Sequence, residues 1–575
     1  MVRQAVDKSP VKTRLSSVVH GHDVRLLAAS VATGVLVASV VSVFQALTED
    51  VALNWLFEQA LPIVMIAPII GIGLAYITLR YAGRGTSSAT SDEFVRSFHD
   101  RKPRLPMGEL PGKLLAGVTS MGLGGALGLE GPSIYAGSSL GLWIHERFGR
   151  WFNRDEAQLL LTAGAAAGVA AVFKAPATGV MFAMEAPYRD DVTPHALLPS
   201  LLASAASYAT FVSLVGTKPV IPFFVEGSTF VANEAGASAF GVRAVDLLGA
   251  LLLGVAAGLG GRGFAWLIRR AKKATHEIPA TTRLLSGGAT LAALALAAQI
   301  AFDSPLTLGP GAEAMSWVIE GRGLGLIALL LGLRIAATTA SVYAGGVGGL
   351  FIPLSALGVI LGQFIGTALG QDNTPLYPVL GLAAFLGAGY RAPITAVMFV
   401  AETTGGVGSL VVPALVAAAV SQVVAGPSSV AGYQMSKRLG HLERRFTLPL
   451  SSILTTDKLT VPPDATISEF VYMHVLGRRE RVVPVVSENR YLGMARLADI
   501  SEIEREGWDQ LTVGECMAID HPIARPTWTL RDAVAAMEKA DVDVLAVTDR
   551  EGMFIGTVNE VDILKLDEIL DETGT

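Results

Sequence analysis

The stretch GGALGLEGPSIYAG, residues 124–137, places one carboxylate, Glu130, between glycines and a proline inside a long apolar region. Proline is favoured in the first turn of a helix, and glycines ahead of it let the backbone turn tightly. A second break of this kind, GGLFIPLSALG, covers residues 348–358. We therefore predict two helices that begin inside the apolar region, each with unpaired amide groups in its first turn.

The two breaks belong to a longer internal repeat. FKAPATGVMFAME (173–185) and YRAPITAVMFVAE (390–402) share an aromatic residue, a base, Ala-Pro, Thr, Val-Met-Phe and a final Glu. Each follows one of the breaks at a similar separation. A helix kink or close packing would explain a single break, but matched interrupted segments in two halves indicate a transporter site between structural repeats.

The composition is that of a membrane protein. Of the 575 residues, 51% are hydrophobic and 16% are charged, and the mean hydropathy is +0.49, whereas soluble domains have roughly 25% charged residues. We predict a polytopic α-helical membrane domain over residues 25–445. The clearest candidate spans, each near the length that crosses a bilayer, are Val24–Leu47, Leu61–Ile77, Ala196–Val215, Val245–Ile268, Leu284–Phe302, Leu324–Val342 and Ser409–Ala425.

Charged segments predict the orientation. Residues 1–24 mix basic and polar side chains without an apolar core, so we expect a cytoplasmic tail and not a signal peptide. Basic clusters at 269–273 and 437–445 favour cytoplasmic ends. We expect the plasma membrane, with the N-terminus and the C-terminal region in the cytoplasm.

Enzymatic chemistry has little support in the sequence. The single cysteine, Cys516, excludes an intramolecular disulfide framework. The sequence lacks a cysteine cluster and HExxH-like spacing, so a metal-dependent enzyme is disfavoured. We expect no catalytic residue, no metal, no required cofactor and no nucleic-acid partner.

The predicted helix starts can hold an anion. Their unpaired amides form the positive end of the helix dipole, and in a bilayer those donors must be satisfied internally. An anion fits there without a full cation, which would hold it too tightly for transport. An ionised Glu130 would compete with the anion, and a protonated one would release the site. The simpler alternative is that Glu130 only caps its helix, although ionisable residues within membranes favour function.

These motifs resemble the CLC family of chloride channels and chloride/proton antiporters, over roughly residues 25–445. Two of the family's anion signatures, G(K/R)EGP and GxFxP, appear as GLEGP and GLFIP. The resemblance implies an all-α membrane domain of two inverted repeats and a homodimer in the lipid bilayer with one pore per subunit. It also implies chloride or another small anion as substrate and Glu130 as the outer gating residue. The backbone groups it implies at the anion are those of Gly128, Leu129, Gly131, Leu350 and Phe351.

The family has a third anion signature, GSGIP. This signature and G(K/R)EGP both depart from the family pattern here. Leu129 stands where the family has a base, which weakens the local positive field. The GSGIP signature is replaced by GTSSATSDEF (85–94), where an ungapped alignment puts Ala89 in the serine position. A slip of one residue would make Ser88 the hydroxyl ligand. Ser88 could equally be a plain helix cap.

The proton relay also departs from the pattern. Antiporters of the family carry an inner glutamate at the position that Ala186 occupies here. Glu185 is then the remaining candidate for a proton path, but it matches Glu402 in the other half, which favours a capping or packing role for both. The sequence therefore favours a channel or a weakly coupled transporter.

Four other residues are candidates for lining the pore. The family's tyrosine beside the anion aligns with Ser429, and Tyr433 lies about one helical turn further on, where it could instead anchor at the membrane interface. Lys174 and Arg391 precede the two Ala-Pro pairs. They could attract anions to the pore, or extend to the membrane surface.

The C-terminal region is soluble in character and contains two similar patterns. RVVPVVSENRYLGMARLADI (481–500) and DVLAVTDREGMFIGTVNEVDI (543–563) each predict strand, turn, strand and helix start. The pair resembles cystathionine-β-synthase (CBS) motifs, and we place the two motifs at 446–508 and 509–575, forming a cytosolic α/β pair.

The CBS resemblance implies an adenine nucleotide as an optional ligand. The family's ribose-binding aspartate matches Asp499 and Asp562, but its hydroxyl residue is replaced by Arg496 and Asn559. Both aspartates could merely cap helices.

The leading hypothesis is chloride permeation through a pore gated by Glu130. The alternatives are a chloride/proton antiporter with another proton path, a membrane-anchored ligand sensor that uses the CBS pair, and a cation carrier. A carrier would need acidic clusters in the membrane part, which offers few.

Overall fold

The structure is a computed structural model that describes residues 10–100, 102–153, 155–217, 221, 244–371, 376–404, 408–437, 448–454, 459–501, 503–559 and 562. The chain divides into two compact units, Met1–Lys437 and Arg438–Thr575. The first unit is built from helices and the second contains two small sheets. Each unit is described separately.

The first half of the membrane unit is helical. Helix α1 begins at Pro10, within the segment predicted as a tail, and a π-helical segment, Ala46–Leu53, follows it. The helices of this half are α1 (Pro10–Gln45), α2 (Asn54–Phe57), α3 (Leu61–Tyr81), α4 (Ser91–His99), α5 (Leu110–Gly122), α6 (Glu130–Arg147), α7 (Glu156–Phe173), α8 (Pro176–Glu185) and α9 (Leu197–Val215).

The second half repeats the helix starts expected from the motifs. One helix begins at Phe351 in the GLFIP break and another at Pro393 after the second Ala-Pro pair. The helices of this half are α10 (Ala244–Glu277), α11 (Ala280–Phe302), α12 (Ala312–Ile319), α13 (Leu324–Ala344), α14 (Phe351–Ala368), α15 (Leu376–Tyr390), α16 (Pro393–Thr403) and α17 (Gly408–Ala425).

The repeat extends to helix packing. Helix α6 packs along α7 in the first half, and α14 packs along α15 in the second. Gly137 meets the backbone of Gly164 in the first pair, and Gly358 meets that of Gly381 in the second, so closely that an added Cβ would clash. Small residues at helix contacts are typical of membrane bundles because they let backbones approach.

Eight helices among the described residues are long and apolar enough to cross a membrane. The predicted spans all fall on helices, and Ser409–Ala425 falls on the shorter apolar helix α17. Two further spans, Glu156–Phe173 and Phe351–Ala368, are not among those predicted above. Of the first, 83% is buried inside the protein, and of the second, 72%.

The C-terminal unit has the predicted strand pairs. Strands β1 (Val482–Ser487) and β2 (Arg490–Arg496) form a two-stranded antiparallel sheet. Strands β3 (Ile523–Ala524), β4 (Val544–Thr548) and β5 (Phe554–Asn559) form a second sheet, with β3 parallel and β5 antiparallel to β4. The remaining helices are α18 (Ile467–Glu469), which continues as a π-helix over Phe470–Leu476, α19 (Leu497–Ile500), α20 (Val513–Cys516) and α21 (Leu530–Ala540).

Local capping explains where two of these helices begin. The Thr466 side chain accepts a hydrogen bond from the Glu469 amide at the start of α18. Thr529 and Asp532 form a reciprocal capping box at the start of α21. The polar turn before β2 places Glu488 and Asn489 at positive φ. The turn lies where the sequence predicts it, between the two strands of the first pattern.

Candidate anion-binding site

The two glycine-rich breaks meet in the interior of the membrane unit. Gly128 donates its N–H to the Gly349 carbonyl at 2.9 Å, and Gly349 donates to the Gly128 carbonyl at 2.6 Å. This isolated antiparallel bridge brings the start of α6 against the start of α14. The Gly128 N–H, predicted to bind the anion, is therefore used to join the two halves.

Glu130 lies between these helix starts and is completely buried. Its Oε1 accepts a hydrogen bond from the Phe351 N–H at the first turn of α14. A Cβ atom on Gly128 or on Gly349 would clash with the carboxylate, so glycine is required at both positions. The carboxylate thus occupies the place where an anion would meet the amide end of α14.

The adjacent amide, Leu350 N–H, donates to the Tyr390 hydroxyl at 3.3 Å. Tyr390 is 2% exposed at the end of α15, and its ring packs against Phe182 and Phe351 with centroids 5.3 and 6.3 Å apart. The Ser91 side chain, at the start of α4, lies beside the hydroxyl. Leu350 and Phe351 therefore present consecutive amides to one hydroxyl and one carboxylate.

The aromatic hydroxyl at this site is not the one predicted from the sequence. Tyr433 is 62% exposed, and its role stays a prediction, whereas the Tyr390 hydroxyl meets the Leu350 amide. Ser429 is buried, and its hydroxyl donates to the Tyr390 carbonyl at 3.2 Å, which places it behind the tyrosine. In the sequence, Tyr390 is the aromatic residue that begins the second copy of the repeated motif, and the pattern does not single out its hydroxyl.

The hydroxyl of the 85–94 segment also differs from the prediction. Ser88 is half-buried in the loop before α4. Thr90 is buried, and its hydroxyl lies 3.4 Å from the Gly348 carbonyl and against Gly131, where a Cβ would clash with it. Thr90, rather than Ser88, therefore lines the wall of the site.

The other residues of the α6 start flank Glu130. Leu129 is buried, and its carbonyl accepts hydrogen bonds from the Ser133 N–H at 3.2 Å and the Ser133 hydroxyl at 2.9 Å. Gly131 follows Glu130 in the first turn of α6.

Glu185 and Glu402 each cap the start of a helix in the other half of the repeat. The Glu402 carboxylate accepts from the Ala177 and Thr178 amides at 2.8 and 2.7 Å and from the Thr178 hydroxyl at 2.6 Å, at the start of α8. The Glu185 carboxylate accepts the matching three donors of residues 394–395, at 3.1, 2.9 and 2.7 Å, at the start of α16. These contacts place Glu185 in a helix-capping position and fill both of these helix starts.

The two basic residues before the Ala-Pro pairs occupy matching turns. Lys174 and Arg391 both have positive φ, 51° and 60°. The Arg391 guanidinium donates to the Arg189 carbonyl at 3.0 Å and the Asp190 carboxylate at 2.5 Å, and also to the Gly426 carbonyl. Through these contacts the Arg391 guanidinium joins neighbouring loops, which contradicts a pore-lining role. Lys174 is half-buried.

In the C-terminal unit, Arg496 pairs with Asp499, the aspartate predicted to bind a ribose. Its guanidinium donates to both Asp499 oxygens, at 2.7 and 3.0 Å. This bidentate hydrogen bonding raises the pKa of Arg496 above its ordinary value. The Asn559 side-chain oxygen accepts a hydrogen bond from the Asp562 N–H at 2.6 Å. Among the described residues, no group of His, Cys, Asp and Glu side chains could hold a metal ion.

Curated relatives of the chain are bacterial exchangers. An H⁺/Cl⁻ exchange transporter, ClcA, of Klebsiella pneumoniae (strain 342) is 26% identical over 370 residues, which cover 62% of this chain and 74% of that protein. The protein of the same name from Vibrio cholerae (serotype O1, strain O395) is 27% identical over 395 residues, 65% of this chain and 81% of that one.

Solved structures share the fold. A slow cyanobacterial Cl⁻/H⁺ antiporter has a TM-score of 0.60 at 21% identity, covering 70% of this chain and 94% of that one. A CLC-type fluoride/proton antiporter has a TM-score of 0.58 at 22% identity, covering 72% and 98%. A eukaryotic CLC transporter has a TM-score of 0.56 at 18% identity and covers 94% of this chain and 98% of its own.

Family patterns match both units. The voltage-gated chloride channel family matches residues 70–426, more than half of the chain, and the CBS domain matches residues 450–506 and 513–568. The predicted fold class, a helical CLC membrane domain with a C-terminal CBS pair, is confirmed. The chain therefore belongs to the voltage-gated chloride channel family.

Proposed function

We propose that this protein carries chloride across the membrane through a CLC-type pore whose gate is the Glu130 carboxylate. The observation that supports this most strongly is the hydrogen bond from the Phe351 amide to Glu130 Oε1 at the meeting point of the two halves. A carboxylate oxygen and a chloride ion compete for the same donor because both are anionic acceptors.

The gate follows from this competition. While Glu130 is ionised, it holds the Phe351 amide and excludes an anion. A proton on Glu130 removes the charge, weakens that hydrogen bond, and leaves the amide to chloride. Acid should therefore open the pore.

The proposed coupling to protons is weak. Ala186 stands at the family's inner relay position, its carbonyl accepts from the Gln434 amide nitrogen at 2.8 Å, and the neighbouring Glu185 is a helix cap. These groups offer no titratable relay, which supports a channel or a weakly coupled transporter. The second candidate is chloride/proton exchange by another proton path, which the two exchangers among the relatives support.

Chloride efflux from liposomes, recorded together with proton movement, separates these candidates. A weakly coupled pore predicts a reversal potential at or close to the Nernst value for chloride, with little proton movement. A fixed chloride-to-proton ratio would instead establish exchange. A membrane-anchored sensor predicts no chloride efflux at all, and that result would reject the proposed function.

We also propose a homodimer in the plasma membrane, with the N-terminus and the CBS pair in the cytoplasm. Membership of the CLC family supports the dimer, and the basic clusters at 269–273 and 437–445 support the orientation. Because Arg496 already neutralises Asp499, we propose that the first CBS motif does not hold a nucleotide ribose through that aspartate. The protein is proposed to act by transport and not as an enzyme.

Tyr390→Phe is expected to weaken chloride binding by about tenfold or more. The hydroxyl accepts from the Leu350 amide and keeps its own proton to donate to the anion, and a hydrogen bond to a charged group contributes roughly 1.5–3 kcal/mol. The substitution removes the hydroxyl beside the Leu350 amide and keeps the buried ring. Calorimetric titration of the purified protein with chloride measures the change. Tyr433→Phe, at an exposed site, is the matched control and should bind as the wild type does. Equal affinities in both variants would remove Tyr390 from the site.

A further inference from the structure

A polar cavity of ≈ 660 Å³ lies beside α4, α5 and α6, outside the contacts described above. It contains both acids and bases, so no single charge dominates it. The lining residues that bear charge are Glu93, Arg96, Asp100, Lys102, Arg104 and Glu109. Such a cavity admits water to its carboxylates.

Tyr135 connects this cavity to the helix that carries the gate. It lines the cavity, is 1% exposed, and lies five residues after Glu130 on α6. Its hydroxyl donates to Glu109 Oε2 at 3.3 Å. Glu93, by contrast, accepts from the Ser87 hydroxyl at 3.0 Å and pairs with Arg96 at 3.8 Å. Glu109 is thus the cavity carboxylate that is bonded to the gate helix.

Lys113 is a buried lysine that contacts Tyr135 of the cavity wall and the segment just before α4. Its side chain is completely buried, and its ammonium lies 4.1 Å from the centre of the Tyr135 ring. The ammonium donates to the Ala89 carbonyl at 2.5 Å, one residue before Thr90, which lines the site. Glu93 and Glu109 are the carboxylates whose charges act on it.

We propose that Glu109 is a proton-binding site that sets the affinity of the anion site through Lys113. This inference rests on the proposed function. A hydronium ion in the cavity gives one proton to a Glu109 oxygen, so that a hydronium O–H bond breaks, a carboxyl O–H bond forms and a water molecule remains. The loss of that negative charge leaves the Lys113 charge less compensated, and the buried field at the anion site becomes more positive.

The other charged groups around Glu109 do not reverse this sign. Arg96, Lys102 and Arg104 line the same cavity, and the Arg84 guanidinium packs against Gly108. These bases are present whether Glu109 is ionised or protonated, so they leave the sign of its effect unchanged. Protonation of Glu109 therefore strengthens chloride binding, and ionisation weakens it.

A test of Glu109 requires a protein in which residue 130 cannot ionise, because Glu130 would add its own pH dependence. The test uses the full-length Glu130→Gln protein, purified in detergent and titrated calorimetrically with chloride at about pH 7 and at about pH 5. Chloride binding should tighten by about threefold to tenfold on acidification, as for one unit charge at an intermediate effective dielectric constant.

Three additional variants isolate Glu109 in the same background. Glu109→Gln should bind tightly and equally at both pH values, because its side chain is always neutral. Glu109→Asp keeps a titratable group and should retain the pH dependence. Asp100→Asn, at an exposed position on the cavity rim, is the matched control and should retain it too. Gel filtration checks that each variant is folded.

Two results would overturn the inference. Chloride affinity could be independent of pH in Glu130→Gln, or the dependence could persist in Glu109→Gln. Either result, together with normal chloride efflux from wild-type vesicles, rejects Glu109 and leaves the proposed function standing. Absence of both efflux and chloride binding rejects the two together.

Discussion

Glu130→Ala is expected to raise chloride flux at neutral pH on the order of tenfold, as for a gate that otherwise occupies the site about nine-tenths of the time. The methyl side chain cannot reach the Phe351 amide, so the donor that the carboxylate now holds becomes available to chloride at every pH. The acid activation that Glu130 causes should disappear, and only the smaller pH dependence proposed for Glu109 should remain. Chloride efflux from liposomes at several pH values measures both effects.

Glu146→Gln is the matched control for this experiment. It removes a carboxylate from the same helix at its opposite, exposed end. Its flux and pH response should equal those of the wild type. If Glu130→Ala also behaved as the wild type does, Glu130 would be a helix cap and not a gate.

Glu402→Gln and Glu185→Gln should each lower the free energy of unfolding by about 2–3 kcal/mol, the range for hydrogen bonds that involve a charged group. Each carboxylate accepts two amides and one hydroxyl at the start of the helix from the other half. An amide side chain keeps only one acceptor oxygen and turns an N–H₂ group toward a donor. Denaturant unfolding in detergent micelles measures the change.

The two capping variants should behave alike, because the two caps have the same donors. Glu277→Gln, which breaks only an exposed pair with Lys273, should change the stability by less than about 0.5 kcal/mol. The Glu185 variant should also leave the chloride-to-proton ratio unchanged. A selective loss of proton movement, with normal stability, would restore Glu185 as a proton path.

The main features of the site could be predicted because they depend on backbone chemistry. The glycines and prolines around Glu130 and Phe351 determine where the helices begin, and a helix start carries the same amide donors whatever its side chains are. The internal repeat then required that the two starts be used together. The Gly128–Gly349 bridge is the contact that joins them.

The side-chain ligands could not be predicted in the same way. Tyr390 and Tyr433 are both tyrosines near apolar helices, and only the packing of α15 against α14 decides which hydroxyl meets the Leu350 amide. Ser88 and Thr90 differ by two residues, and the start of α4 decides between them. The role of Lys113 was also missed, because a buried lysine has no distinctive sequence pattern.

The central claim is that the Glu130 carboxylate and a transported anion share the Phe351 amide. Crystals of Glu130→Gln grown in bromide, measured at the bromine absorption edge, test it most directly. We expect an anomalous peak from bromide at hydrogen-bonding distance from the Phe351 N–H, beside the Tyr390 hydroxyl. A well-ordered site without bromide there, or with the amide bonded to a fixed protein group, would contradict it.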